Sequence, residues 1–331
     1  MHATGPSLSD RAEALAEAGR LQDAYALLTS PAAAADPEAV FRLALWRLAG
    51  QIITRDLARA RALFGKAGDL GHPTAAMVHA AFLANGTGGT PDWPGALEFM
   101  AGRAAQEPAF REDLALIEAM ALTALGDPVS TPAVESLSER PRAARLPALF
   151  SPAECAFLIA RARPSLAPSL VVDPATGRQR ANPVRTSDGM SFPYVEESPA
   201  IHALNRRIAA ATRTMVTQGE PLQVLRYRPG QEYRPHSDAI AGEANQRILT
   251  VLVYLNRDYE GGETRFVQTG LSFKGEPGDA LAFWNVDEAG RPDPFAQHAG
   301  LPVSAGEKLI ASRWIRLRPF AFPPPRPLLN L

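Results

Sequence analysis

Residues 222–256 read LQVLRYRPGQEYRPHSDAIAGEANQRILTVLVYLN. Two runs rich in Leu, Val and aromatic residues, 222–228 and 248–255, enclose a stretch punctuated by Pro229, Gly230, Pro235 and Gly242. Apolar runs of this length between turn residues read as strands. Between them lies His236-Ser237-Asp238, and residues two apart on an extended segment project to the same face. An imidazole and a carboxylate so placed can converge on one metal ion. The same tripeptide also arises by chance in surface turns, so its reading depends on its surroundings.

Outward from this stretch the pattern continues. SLVVD (169–173), TRFV (264–267), ALAFW (280–284) and KLIASRWIRLR (308–318) are strand-like, with helix-like runs at Pro152–Arg163 and Pro199–Gln218. Many short strands following a few helices predict an antiparallel sandwich or barrel. His298 is the only histidine after Asp238 and therefore the candidate third ligand. Two histidines and one carboxylate on one face of an octahedron leave three positions for other ligands. Lys308 opens the last strand-like run. It is either a strand-end lysine in solvent or a buried cation in need of an anion such as a dicarboxylate.

The ordered segments LFSPAECAFLIARA, VRTSDGMSF, LQVLRYRPGQEYRPHSD, NQRILTVLVYLN, EGGETRFV and HAGLPVSAGEKLIASRWIR span about residues 145–320. Together they resemble the iron(II)- and 2-oxoglutarate-dependent dioxygenases of the prolyl 4-hydroxylase type. The resemblance implies a double-stranded β-helix, or jelly roll, flanked by helices, and Fe(II) and 2-oxoglutarate as cofactor and cosubstrate. It makes His236 and Asp238 the proximal metal ligands, His298 the distal one, and Lys308 the anchor of the far carboxylate of 2-oxoglutarate. Tyr227 would point its hydroxyl at the cosubstrate, with Thr264 and Tyr254 as neighbours of that pocket. Trp314 matches the tryptophan after the lysine, or is a core aromatic; Arg247 faces the pocket or caps its strand. The implied reaction consumes dioxygen, decarboxylates 2-oxoglutarate to succinate and hydroxylates a peptidyl residue such as proline, with L-ascorbate as an auxiliary. A free amino acid or metabolite as target, or a non-catalytic scaffold, are the alternatives.

The polar segment 173–194 stands where the family has a mobile loop, with Arg178, Arg180 or Arg185 at the entrance; it is a lid or an exposed loop. Gly230, the Gly261-Gly262 pair, Gly278 and Gly306 read as tight-turn residues.

The first 130 residues are rich in Ala and Leu and read as helical throughout. Laying Asp36–Gly71 over His72–Glu107 superposes Pro37 on Pro73, Gly50 on Gly86, Asp56 on Asp92 and Trp46 on Phe82. A period of about 36 residues is the mark of stacked helical hairpins. It resembles the Sel-like relatives of tetratricopeptide repeats. Such a module is either a docking surface for a protein or peptide substrate or a stabilising cap. The expected organisation is α+β and multidomain: a helical repeat domain over 1–130, a linker over 131–144, the dioxygenase jelly roll over 145–320 and a proline-rich tail over 321–331.

Hydrophobic residues make up 46% of the 331, enough for a sizeable core, and the formal net charge is −1. That balance gives no general attraction to nucleic acid or anionic membrane. The single Cys155 forms no internal disulfide and reads as a small buried residue. The N-terminus lacks the pattern of a signal peptide, and the longest apolar stretch is too short for a membrane span. A cytoplasmic location is the default expectation.

Overall fold

The computed structural model describes residues 6–172, 179–181 and 184–321. The chain divides into two compact units, one formed by the residues up to Glu118 together with Tyr194–His202, the other by Ala119–Pro193 and Ala203–Phe320. No helix among the described residues is long and apolar enough to cross a membrane.

The first unit consists of α1 (Leu8–Glu17), α2 (Leu21–Leu28), α3 (Pro37–Ala49), α4 (Leu57–Asp69), α5 (Pro73–Asn85), α6 (Trp93–Ala101) and α7 (Pro108–Ala119). The positions superposed by the sequence offset fall on equivalent structural roles. Pro37 and Pro73 occupy first-turn positions of α3 and α5, where the missing N–H has no helical partner to lose. Gly50 and Gly86 end those helices at φ 71° and 78°, a left-handed conformation that favours glycine. Asp56 and Asp92 cap α4 and α6 by accepting from Arg59 N and Gly95 N. Trp46, Phe64 and Phe82 are buried in one apolar cluster. Tyr194 packs against the same cluster, its carbonyl accepting from Asn85 Nδ2 at 2.9 Å. The C-terminal end of the 173–194 segment is thus anchored among helices; 173–178 and 182–183, and the tail from 322, lie outside the described residues.

The second unit opens with β1 (Glu135–Glu139), β2 (Arg142–Leu146), α8 (Pro152–Ala162), β3 (Ala167–Pro168), β4 (Leu170–Val172), β5 (Gln179–Ala181) and β6 (Asp188–Phe192). After α9 (Pro199–Thr212) come β7 (Leu222–Tyr227), β8 (Tyr233–His236), β9 (Arg247–Tyr254), β10 (Tyr259–Gly261), β11 (Thr264–Phe266) and β12 (Ser272–Phe273). The last strands are β13 (Ala280–Trp284), β14 (His298–Gly300), β15 (Val303–Gly306) and β16 (Lys308–Arg316). An eight-stranded antiparallel sheet runs β1-β2-β13-β9-β16-β7-β6-β3, and a four-stranded one runs β12-β11-β14-β8. Leu225, Leu252, Leu281, Phe283 and Ile310 of the large sheet share one core with Phe266 of the small one. This is the arrangement of a jelly roll.

One expectation needs correction. Residues 131–144, read as a linker, contain most of a hairpin: β1 pairs with β2, and β2 pairs with β13 at the edge of the large sheet. Ala143 and Ala144 project to opposite faces of β2 and both are buried, Ala143 in the core shared by the two sheets. Two alanines between arginines carry too little apolar signal to announce a strand.

Candidate metal centre and anion pocket

β8 and β14 are antiparallel neighbours, and their register sets His236 directly opposite His298. Asp238 lies just past the end of β8 and is 4% exposed. One ligand atom from each of the three residues lies within 4.8 Å of the other two. His236 Nε2 stands 3.7 Å from Asp238 Oδ1, and His298 Nε2 stands 3.8 Å from Asp238 Oδ2. Adjacent ligands about 2.1 Å from an octahedral ion stand about 3 Å apart, so small side-chain adjustments close the triangle on a metal. The sequence-predicted triad is therefore assembled, and its donor set suits a metal with open coordination positions.

Each ring is oriented from behind. His236 Nδ1 lies 2.8 Å from the Arg234 carbonyl, and His298 Nδ1 lies 3.0 Å from that of Ala296. A carbonyl only accepts, so both Nδ1 atoms carry the proton and both Nε2 lone pairs face the centre. Tyr233 stacks on His236 with ring centroids 3.4 Å apart, and Phe283 meets His298 edge-on at 4.6 Å. Burial, with His298 close by, pushes the His236 pKa down to about 4, so the ring is neutral at neutral pH. Burial works against ionising Asp238, but His298, His236 and the Thr250 hydroxyl prevail and hold its pKa below the usual carboxylate range.

The triad sits in a cavity of about 390 Å³, open mouth included. Lys308, Ile310, Ser312 and Trp314 line one wall. They are alternate residues of β16, the periodicity of one strand face. Lys308 is 2% exposed. Among the described residues its ammonium has one hydrogen-bond acceptor, the Gly262 carbonyl at 2.6 Å, and no carboxylate partner. Burial pushes its pKa down to about 7, Glu263 opposing the shift. A buried cation so placed fits the far carboxylate of a dicarboxylate ligand.

Tyr227, the register partner of Lys308, and Thr264 also line the cavity. Tyr254 does not: its hydroxyl donates to the Phe273 carbonyl at 3.0 Å and meets Thr264 Oγ1 at 2.9 Å, bracing the wall from behind. Trp314 is a cavity residue, and Arg247 is a structural one, bound to Glu220 through Nε and Nη2 at 2.6 and 2.8 Å. Arg185 bridges to Tyr233, with its guanidinium 5.6 Å from that ring; the side chains of Arg178 and Arg180 are outside the described residues. Sequence reasoning missed Tyr233, Leu252, Ile310 and Ser312. The last two were legible by counting in twos from Lys308.

It also under-read Gly262. The residue adopts φ +70°, and a Cβ there would stand 3.1 Å from Lys308 Cδ and from Val303 Cγ2. The glycine therefore does more than turn the chain: it sets the carbonyl that holds the ammonium. Gly262→Ala will raise the KM for 2-oxoglutarate about tenfold, since roughly 1–2 kcal/mol of left-handed strain falls beside the lysine. Co(II) binding at the triad will stay within about threefold of the parent protein, on the same energy scale. Steady-state kinetics and a Co(II) titration check the two halves.

A family model described as the 2OG-Fe(II) oxygenase superfamily matches residues 222–316. Prolyl 4-hydroxylase 1 of Arabidopsis thaliana is 42% identical over 201 residues, which cover 55% of this chain and 71% of that protein. Prolyl 4-hydroxylase 5 of the same plant is 36% identical over 211 residues, 56% of this chain and 72% of the relative. Among solved structures, the viral collagen prolyl hydroxylase of Paramecium bursaria Chlorella virus-1, in complex with 2OG, is 30% identical, with a TM-score of 0.42 over 53% of this chain and 95% of that one. The chain belongs to the prolyl 4-hydroxylase family of iron(II)- and 2-oxoglutarate-dependent dioxygenases.

Proposed function

We propose that the protein hydroxylates a prolyl residue in a peptide or protein, with His236, Asp238 and His298 holding Fe(II) and Lys308 anchoring 2-oxoglutarate. The observation that carries the reading is one cavity in which three metal-ligating atoms stand with a buried ammonium that has no carboxylate partner among the described residues. The prolyl target rests on a relative that is a prolyl 4-hydroxylase at 42% identity.

Bound iron supplies the activation of dioxygen that couples decarboxylation of 2-oxoglutarate to hydroxylation. The chain's own residues do the rest. His236 and His298 present bare Nε2 atoms and Asp238 supplies the one anionic donor, a set that would hold Fe(II). Lys308 and Tyr227 take the far carboxylate. Leu225, Leu252, Ile310 and Trp314 give the cavity apolar walls that keep water from the reacting atoms. We assign capture of the peptide to the helical unit, whose repeated hairpins present the kind of surface that binds extended chains.

The test is turnover of the full chain with Fe(II), 2-oxoglutarate, oxygen and ascorbate on a library of proline-containing peptides. Expected are succinate and a mass gain of one oxygen atom on proline, in equal amounts. Succinate formation stimulated by free amino acids and not by any peptide would replace the peptidyl target with a small molecule.

A further inference from the structure

Asp238 differs from the two histidines in what holds it. Both rings sit on paired strands and lean on main-chain carbonyls, whereas Asp238 stands in the loop between β8 and β9. A carboxylate on a loop needs a reference point elsewhere if one of its oxygens is to meet a metal reproducibly. We propose that Thr250 and Asn285 form a buried hydroxyl–amide relay that fixes the orientation of Asp238, making both of them positioning residues for the metal centre. The inference rests on the assignment of Asp238 as a ligand.

Thr250 Oγ1 donates to Asp238 Oδ2 at 2.7 Å, and Asn285 Nδ2 donates to Thr250 Oγ1 at 2.9 Å. The three residues are 4%, 0% and 1% exposed in the order Asp238, Thr250, Asn285. The proton order follows from valence. An ionised carboxylate only accepts, so the single hydroxyl proton of Thr250 must point at Asp238. The Thr250 oxygen can then only accept, and the Asn285 amide must turn its NH2 toward it. The consequence is visible at the far side of the amide: Asn285 Oδ1 is buried with no hydrogen-bond partner among the described residues. A bare buried amide oxygen is unfavourable, so the fold accepts a penalty to keep this orientation.

Both relay residues are anchored in the large sheet. Thr250 lies within β9, and Asn285 directly follows β13, its main-chain N–H donating to Ile248 O at 2.9 Å. The relay thus indexes a loop carboxylate to two adjacent strands. With Oδ2 engaged by Thr250, the orientation of the carboxylate toward the two imidazoles is set from the sheet. Thr250 has no packing reason to be threonine, since valine has the same shape and a buried hydroxyl is costly unless it is hydrogen-bonded.

Co(II) affinity of the full chain, measured by titration without turnover, tests the relay. Thr250→Val is expected to weaken Co(II) binding about 10- to 100-fold, the range for residues that orient a ligand. Thr250→Ser, which keeps the hydroxyl, should recover it to within about threefold. Asn285→Leu removes the amide N–H that holds Thr250 Oγ1 and should weaken binding by about 3- to 10-fold. Thermal melting of the metal-free variants separates a packing defect from a positioning one. A folded Thr250→Val protein with parental Co(II) affinity overturns the proposal; if that variant does not fold, parental affinity in Asn285→Leu does so. His298→Ala measured alongside separates the two levels. If it too keeps Co(II), the metal assignment itself fails; if it alone loses Co(II), only the relay does.

Discussion

His298→Ala will abolish hydroxylation and lower Co(II) affinity by a factor on the order of 10³ or more, since even residues that merely orient a ligand alter affinity 10- to 100-fold. His298 supplies one of three protein donors, and among the described residues no other His, Cys, Asp or Glu joins a metal-sized cluster with His236 and Asp238. The ring is also a packing element, meeting His236 at 4.3 Å and Phe283 at 4.6 Å between ring centroids. Removing it therefore leaves a cavity, and the metal-free protein should melt a few degrees lower. The two effects separate by experiment. A packing defect alone lowers the melting temperature and spares Co(II) binding. A variant that still bound Co(II) at parental strength would end the metal assignment, whatever its turnover.

How much of this is legible in the sequence depends on whether a residue's chemistry or its context carries the meaning. His236, Asp238, His298 and Lys308 are residue types that are rarely buried without a reason, so their spacing is informative. Thr250 is the opposite case: a threonine inside an apolar strand reads as ordinary β-propensity. Only the 2.7 Å contact to Asp238 reveals its part. Tyr254 is expected as a neighbour of the cosubstrate pocket, and its hydroxyl turns to Thr264 and the Phe273 carbonyl, because sequence gives the strand but not where a hydroxyl points. In the first unit, the offset that superposes Asp56 on Asp92 pairs two residues that both serve as N-caps, since capping is a local property of the chain and recurs with the repeat. The β1–β2 hairpin escapes a reading of the sequence because its pairing with β13 is remote along the chain and Ala143 and Ala144 carry little apolar signal.

Lys308 yields the second large effect, and its sign follows from its surroundings. Burial pushes the ammonium down to about 7, and among the described residues only the Gly262 carbonyl accepts from it. The protonated form is the one that pairs with a carboxylate, and pairing raises its pKa again. Binding of 2-oxoglutarate above pH 7 must therefore take up a proton. Affinity is full below pH 7 and weakens as pH rises through and beyond it, approaching about tenfold per unit until the pKa of the occupied site is reached. The ligand-free protein behaves in the reverse sense. An unfolded lysine titrates near 10.5, so the penalty for burying this charge is complete below pH 7 and is relieved toward pH 10. Lys308→Met should weaken 2-oxoglutarate binding on the order of 100-fold at pH 6.5, the worth of a charge-assisted hydrogen bond in a dry site. It should also flatten the pH profile, because the titrating group is gone. Lys308→Arg, charged at every pH, separates charge from fit: it should flatten the profile too, whatever affinity its bulkier head allows. Calorimetric titration of 2-oxoglutarate into the Co(II)-loaded protein between pH 6 and 9 reads all three. A parental profile that stays level across that window would mean that the ammonium never loses its proton in the cavity. A Lys308→Met variant with unchanged affinity would mean that the carboxylate is held elsewhere.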